Sequence, residues 1–250
     1  MIVTSLAIIL AVAAASPVAQ PQALLPVERE AARLLADETQ TFSALGDLAD
    51  RLRAALANSA EPTETRGRLA LAWVRAVRRT LGAIPFIVNG ATQEPYRTWL
   101  ADHADDIVYS EPAGQWLMHA EHLWELHDDH RRTTSAEPLA WEVVTNGLPG
   151  ECEGYPPCYL SGLDLLHAEY LRRHPGGAHA AEAVEQIRQS NQQSVDLTSG
   201  AKSREFFNPA TDCVDLVPKA ATVRAALVQA GVDAKAAIAL LDRLRGLCPN

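Results

Sequence analysis

Four of the eight histidines lie close together in the sequence and are the first candidates for chemistry. They form two i, i+3 pairs, His119 with His122 and His127 with His130. On a helix, each pair could present two imidazoles to a transition metal. The pairs lie too far apart along a helix to share one ion, and neither has the H-E-x-x-H spacing of zinc enzymes. We therefore interpret them as amphipathic residues at the edge of a core, and we predict no metal and no cofactor.

A second candidate is the segment 147–157, which is too rich in glycine and proline to be helical. Within it, Glu151 and Glu153 flank Cys152. A free Cys152 would be a nucleophile or ligand candidate, although neighbouring carboxylates would raise its pKa. The alternative, a disulfide from Cys152 to Cys158, is the simpler interpretation in an oxidising compartment. The loop so fixed is a candidate binding surface with the residues Glu151, Glu153, Tyr155 and Tyr159.

The remaining cysteines, Cys213 and Cys248, flank the last two predicted helices, 216–229 and 233–246. A turn at Gly231 would make these helices antiparallel, so that the two thiols meet at the open end of the hairpin. The chain-entropy model gives such a disulfide about 3.8 kcal/mol. We therefore predict two disulfides, which indicates an exported protein.

The first residues support export. The run Ile2–Ala15 is almost entirely apolar, and Ala13–Ala15 offers a small-residue cleavage site. This layout is typical of a signal peptide, although no lysine or arginine precedes the run. The alternative is an uncleaved anchor, but the run is shorter than the ~20 residues that span a bilayer. We predict a signal peptide over 1–15, no membrane span after its removal, and a periplasmic or secreted protein.

The elements that must position these residues are helical, because alanine and leucine supply most of the apolar side chains. Leucines spaced by three and four residues indicate helix from Pro26 to Leu56, with a break at Gly46. The only strand-like piece, Ile84–Val88, is interpreted as an extended connector. Glu-Pro dipeptides, with Thr92 and Ser135 as possible N-caps, indicate further helix starts. The remaining helices are predicted at 63–81, 93–107, 112–131, 136–146, 158–174 and 178–195.

The predicted fold class is therefore all-α, an irregular helical array or a stack of helical hairpins with two disulfides. Residues 16–200 are predicted to form a helical domain. Residues 201–250 are predicted to form the disulfide-closed hairpin that packs on it. The stretch Leu166–Ala183, which contains Tyr170-Leu171 and His174-Pro175-Gly176, resembles the helix–turn–helix joint of tetratricopeptide-like repeat proteins of the bacterial envelope. The resemblance implies stacked hairpins and protein binding, and it implies no catalytic residue.

The formal charge of −9 argues against nucleic acid and anionic membranes as partners. The sequence holds no nucleotide-binding glycine loop, no G-x-S-x-G and no C-x-x-C, so no catalytic residue is predicted. We expect an exported scaffold that binds another envelope or secreted protein. Two alternatives stay open. One is a secreted hydrolase or metal-dependent enzyme that uses the histidine-bearing helix or the 150–158 loop. The other is a structural envelope protein.

Overall fold

The computed structural model describes residues 23–58, 60–85, 93–111, 114–146, 158, 160, 164–199 and 207–248. Over these residues the protein has ten helices and one two-stranded antiparallel sheet. The helical fold class is thus confirmed, with the small sheet as an addition. In the part of the chain so described, no helix combines the length and apolarity needed to cross a membrane.

Up to residue 144, the described residues form six helices and both strands. The elements are α1 (Pro26–Ala36), α2 (Phe42–Leu56), α3 (Thr63–Gly82), α4 (Tyr96–Asp102), β1 (Ile107–Ser110), β2 (Gln115–Met118), α5 (Ala120–Asp129) and α6 (Ala136–Val144). From residue 164 onward, the described residues form the other four, α7 (Leu165–Arg173), α8 (Ala180–Ser199), α9 (Pro209–Val228) and α10 (Lys235–Arg245).

The N-terminal core is an apolar cluster to which α1–α6 and both strands contribute, and α2 and α3 form its centre. The predicted break at Gly46 was wrong. The chain instead breaks between Ala36 and Phe42, where the Thr41 hydroxyl accepts a hydrogen bond from the backbone of α2. Gly46 lies inside α2 against Trp99, and a Cβ there would lie 3.1 Å from the indole nitrogen. The glycine therefore allows close packing rather than ending a helix.

The C-terminal core consists of apolar residues of α6–α10. Helix α9 packs on α7, and α10 packs on α8 and α9. The two turns of this unit also touch, because the Gly176 N–H donates to the Ala230 carbonyl at 2.8 Å. Gly231 has a φ of +71°, and a Cβ there would lie 2.8 Å from the Gly176 nitrogen. Only glycine fits both the conformation and the contact.

Cys213 and Cys248 form the predicted disulfide, with a Cα–Cα distance of 5.6 Å. The predicted start of the first helix of this hairpin, at residue 216, was wrong, because α9 begins at Pro209 and runs through Pro218. A proline inside a helix removes one hydrogen bond but does not always end the helix. Cys213 therefore lies within α9 and not before it.

The predicted helix over 112–131 was wrong in its first third. Residues Gln115–Met118 instead form β2, which pairs with β1 in the register Ile107↔Met118 to Ser110↔Gln115. The turn contains Gly114, whose φ of +61° suits a hairpin. The β-branched and aromatic residues of β1 favour an extended partner over a helix. The predicted helix 93–107 was also too long, since α4 ends at Asp102 and β1 begins at Ile107.

Several predictions concern residues outside those that the structure describes. They are the signal peptide 1–15, Thr92, most of the connector Ile84–Val88, and the loop residues Glu151, Cys152, Glu153, Tyr155 and Tyr159. Cys158 is described and is not a free thiol. The Cys152–Cys158 pairing stays a prediction. Ser135 is the N-cap residue of α6 as predicted, but its side chain makes no capping hydrogen bond.

Candidate functional site

An open groove lies between α4 and the β1–β2 hairpin, with a volume of about 520 Å³. This volume falls within the range of small-ligand and side-chain pockets. Its lining is mostly aliphatic and aromatic, with one cation and one imidazole at the edge. The lining residues are Arg97, Leu100, Ala101, Ala104, Ile107, Val108, Tyr109, Trp116 and His119.

Two aromatic side chains dominate one wall of this groove. Tyr109 and Trp116 are directly opposite in the hairpin register, and their ring centroids lie 5.3 Å apart. Tyr109 is 48% exposed, which is high for a large apolar residue. The Trp116 indole nitrogen is buried and has no hydrogen-bond partner, so it does not face the groove as a donor. The groove thus offers an aromatic surface.

The hairpin is fixed in place by the side chain of Asn146, at the end of α6. Its amide nitrogen donates to the Met118 carbonyl at 2.6 Å, and its oxygen accepts from the Met118 N–H at 3.3 Å. Asn146 therefore takes the place of a third strand at this position. At the same end, the His119 N–H donates to the Asp106 carbonyl at 3.0 Å. These hydrogen bonds fix the position of the hairpin, and therefore of Trp116, relative to the rest of the fold.

The four histidines that the sequence suggested as candidates lie in two different environments. His119 is the N-cap residue of α5 and lines the groove, and the exposed His122 lies beside it with a ring-centroid distance of 5.3 Å. His127 and His130 are both buried, each 3% exposed. Burial lowers the pKa of both buried imidazoles below the ordinary histidine value. In the described part of the chain, no group of three histidine, cysteine or acidic side chains is placed to hold a metal ion.

His127 takes part in a polar cluster that the sequence did not reveal. Its Nε2 lies 3.0 Å from the Nε2 of His174, in the turn after α7. Beside this pair, the Tyr170 hydroxyl donates to Glu137 at 2.7 Å and accepts from the His179 N–H at 3.1 Å. Burial and the hydrogen bond to Glu137 raise the pKa of Tyr170. Burial tends to raise the pKa of Glu137, but its hydrogen bonds outweigh burial and lower it.

These cluster residues could have been found only in part from the sequence. Tyr170 and His174 belong to the repeat-like stretch, and Glu137 belongs to one of the Glu-Pro dipeptides. Neither pattern indicated that the three lie together. Trp116 was missed because it was assigned to the predicted helix 112–131. Tyr109 was missed because it lay between two predicted helices, although Ile107-Val108-Tyr109 has the composition of a strand.

Comparison with known proteins gives no matching family, no matching curated protein and no matching solved structure.

Proposed function

We propose that this is an exported protein that binds a partner protein through the groove between α4 and the hairpin. The observation that carries the proposal is the aromatic pair on the groove wall, formed by the exposed Tyr109 and the half-buried Trp116. Tyrosine, tryptophan and arginine contribute most to binding energy at protein interfaces, and Tyr109, Trp116 and Arg97 line this groove. The partner inserts an apolar or aromatic side chain, and the net charge of −9 favours a partner with basic residues.

Export is supported by the apolar segment 1–15 and by the Cys213–Cys248 disulfide, because disulfides persist mainly outside the cytoplasm. We expect cell fractionation to recover the protein in the periplasm or the medium, with Ser16 as its first residue. Peptide mapping without reductant is expected to give the Cys152–Cys158 pair as well. A full-length cytosolic protein with free thiols would contradict export.

The binding proposal is tested by a photoreactive phenylalanine analogue at position 109, with the same analogue at Val214 as the control. Val214 is also an exposed apolar residue, but it lies on α9, outside the groove. A partner that crosslinks from position 109 and not from 214, and is lost in Trp116→Ala, supports the proposal. Identical crosslinked products from both positions would contradict it.

An enzyme is the second candidate function, and the His127–His174 pair is the observation that favours it. Such a pair could transfer a proton in general acid–base catalysis. His127 is only 3% exposed, however, so a substrate would reach it only after a rearrangement. Loss of a hydrolytic activity in His127→Gln, with the fold retained, would favour this function over binding.

A further inference from the structure

The contact between His127 and His174 joins two imidazoles directly. Their Nε2 atoms lie 3.0 Å apart, the ring centroids 5.2 Å apart, and the rings are perpendicular. The rings therefore meet tip to tip, as in a hydrogen bond between one protonated and one unprotonated nitrogen. His127 is buried and His174 is half-buried.

The second nitrogen of His127 also has fixed partners. Its Nδ1 lies 2.9 Å from an Asp128 carboxylate oxygen and 3.1 Å from an Arg173 guanidinium nitrogen. If Nδ1 carries the proton, it donates to Asp128, and Nε2 accepts from His174. If Nδ1 accepts from Arg173, then Nε2 donates to His174. Either way, one proton occupies the space between the two Nε2 atoms.

Protonation of both rings removes this hydrogen bond. Each Nε2 would then carry a proton, and two positive charges would lie in contact beside Arg173. Burial lowers the pKa of His127, and burial together with the His127 charge lowers the pKa of His174. The folded protein therefore resists uptake of the second proton.

The nearby acidic groups are already engaged by other partners. Asp128 on α5 and Glu169 on α7 both pair with Arg173. Glu137 on α6 accepts hydrogen bonds from the Tyr170 hydroxyl and from backbone N–H groups. These carboxylates offset part of the added charge but leave no free partner for a second imidazolium. His179, the remaining imidazole nearby, lies 3.3 Å from Glu182 on α8 and stacks on Trp141.

The pair lies where the two cores of the protein meet. Trp124 on α5 packs against both the N-terminal and the C-terminal core. Its ring contacts His127 edge to face, with centroids 5.5 Å apart, and Arg173 lies 4.5 Å above it. Separation of His127 from His174 would therefore loosen the contact of α5 with α7 and the turn that follows.

We propose that His127 and His174 form an acid-sensitive latch between the two cores. The latch is closed while at least one ring is neutral, and it opens when both are protonated. The inference does not rest on the groove or on its partner. Folding lowers the pKa of both rings. The stability that the neutral pair contributes is therefore fully present above the unfolded histidine pKa of about 6.5, and it is lost as the pH falls below that value.

The test compares the wild type with His174→Gln between about pH 7.5 and about pH 5. The glutamine amide can still donate to the His127 Nε2 but does not titrate. We expect the unfolding equilibrium constant of the wild type to rise several-fold more than that of the variant, because the unfolded chain takes up the second proton more readily than the folded pair does. The protection of backbone amides from hydrogen exchange, corrected for the intrinsic pH dependence of exchange, is expected to fall with acid over 120–129 and 170–180 in the wild type and not in the variant.

Two further measurements keep the test decisive. His122→Gln removes an exposed histidine on the same helix and is expected to behave like the wild type. Imidazole NMR is expected to show the two latch rings titrating below the ordinary histidine pKa of about 6.5. If both rings titrate at that ordinary value, or if His174→Gln and the wild type lose stability equally with acid, the latch does not exist. Should His174→Gln fail to fold, His127→Gln with the same readouts replaces it.

Discussion

The helices of the N-terminal core (α1–α6) and those of the C-terminal core (α6–α10) are held together by different kinds of interaction. In the first, buried Glu28 pairs with Arg68 at 2.7 Å, and buried Glu142 pairs with both Arg75 and Arg78 of α3. The second has the Cys213–Cys248 bond and the backbone contact between its two turns. In the N-terminal core, charge pairs therefore connect helices that are distant in sequence. In the C-terminal core, a disulfide closes one helical hairpin, and a backbone hydrogen bond connects this hairpin to its neighbour.

The largest effect is expected from the disulfide. Replacement of Cys213 and Cys248 by alanine is expected to lower the free energy of unfolding by about 4 kcal/mol, because the closed loop restricts the unfolded chain. Denaturant unfolding of the wild type and the double variant measures the loss. Hydrogen exchange should place it in α9 and α10. An equal loss of protection in α1–α3 would contradict the assignment of this effect to the C-terminal core.

The matching change in the N-terminal core is Glu142→Ala. Glu142 is 9% exposed and pairs with two arginines, so its removal takes the carboxylate partner from both cations, although Arg78 keeps its hydrogen bonds to Thr145. Since these arginines are partly exposed, we expect a loss of about 2–3 kcal/mol, less than for a fully buried pair. Urea unfolding measures it. The control is Glu30→Ala, which removes an exposed pair with Arg51 and should leave the stability unchanged.

The two cores also differ in how their stability depends on pH. Burial of Asp164, at the start of α7, raises its pKa to about 8. Folding therefore disfavours the carboxylate, so the stability of the wild type is greatest below the unfolded pKa and falls as pH rises toward 8. Asp164→Asn is expected to raise the free energy of unfolding by about 1–2 kcal/mol near neutral pH, since an ionisable group is no longer buried.

This gain is measured by urea unfolding in acid and near neutrality, and it should shrink in acid. Asp196→Asn, an exposed acid on α8, is the control and should change little. If Asp164→Asn destabilises the protein equally at both pH values, burial of the ionised carboxylate does not limit the stability of the wild type.

The smallest effects are expected at the helix N-caps. The Thr41 hydroxyl accepts from Ala44 at 3.3 Å, and the Asn208 side chain accepts from Ala210 at 3.1 Å. In addition, the Asn208 N–H donates to Asp212 at 2.7 Å. That backbone bond is kept in Asn208→Ala, so only the side-chain bond is lost. Alanine at either position is expected to cost about 1 kcal/mol, with the larger loss at Asn208, because asparagine is a stronger N-cap than threonine and its bond is shorter. Thermal unfolding of the two variants gives the order, and a larger loss for Thr41→Ala would reverse it.

About half of the candidate sites could be anticipated from residue types. His119 was identified from the histidine pairs and lines the groove, and His127 was identified and belongs to the latch. The helix predicted over 112–131 was wrong at His119, because β2 replaces its first turns and His119 is the N-cap residue of α5. No motif in the sequence around Tyr109 and Trp116 indicates that they form a binding surface. Their role follows from the register of a hairpin that was not predicted.

The sequence by itself determined the helical class, most helix positions and the Cys213–Cys248 pair. These depend on periodicity and on the geometry of adjacent helices, which act over short stretches of chain. Only the tertiary structure decided that His127 meets His174, 47 residues later, and that α6 contributes to two cores. Such contacts depend on how helices pack across the whole chain, and a single sequence carries no local pattern for that packing.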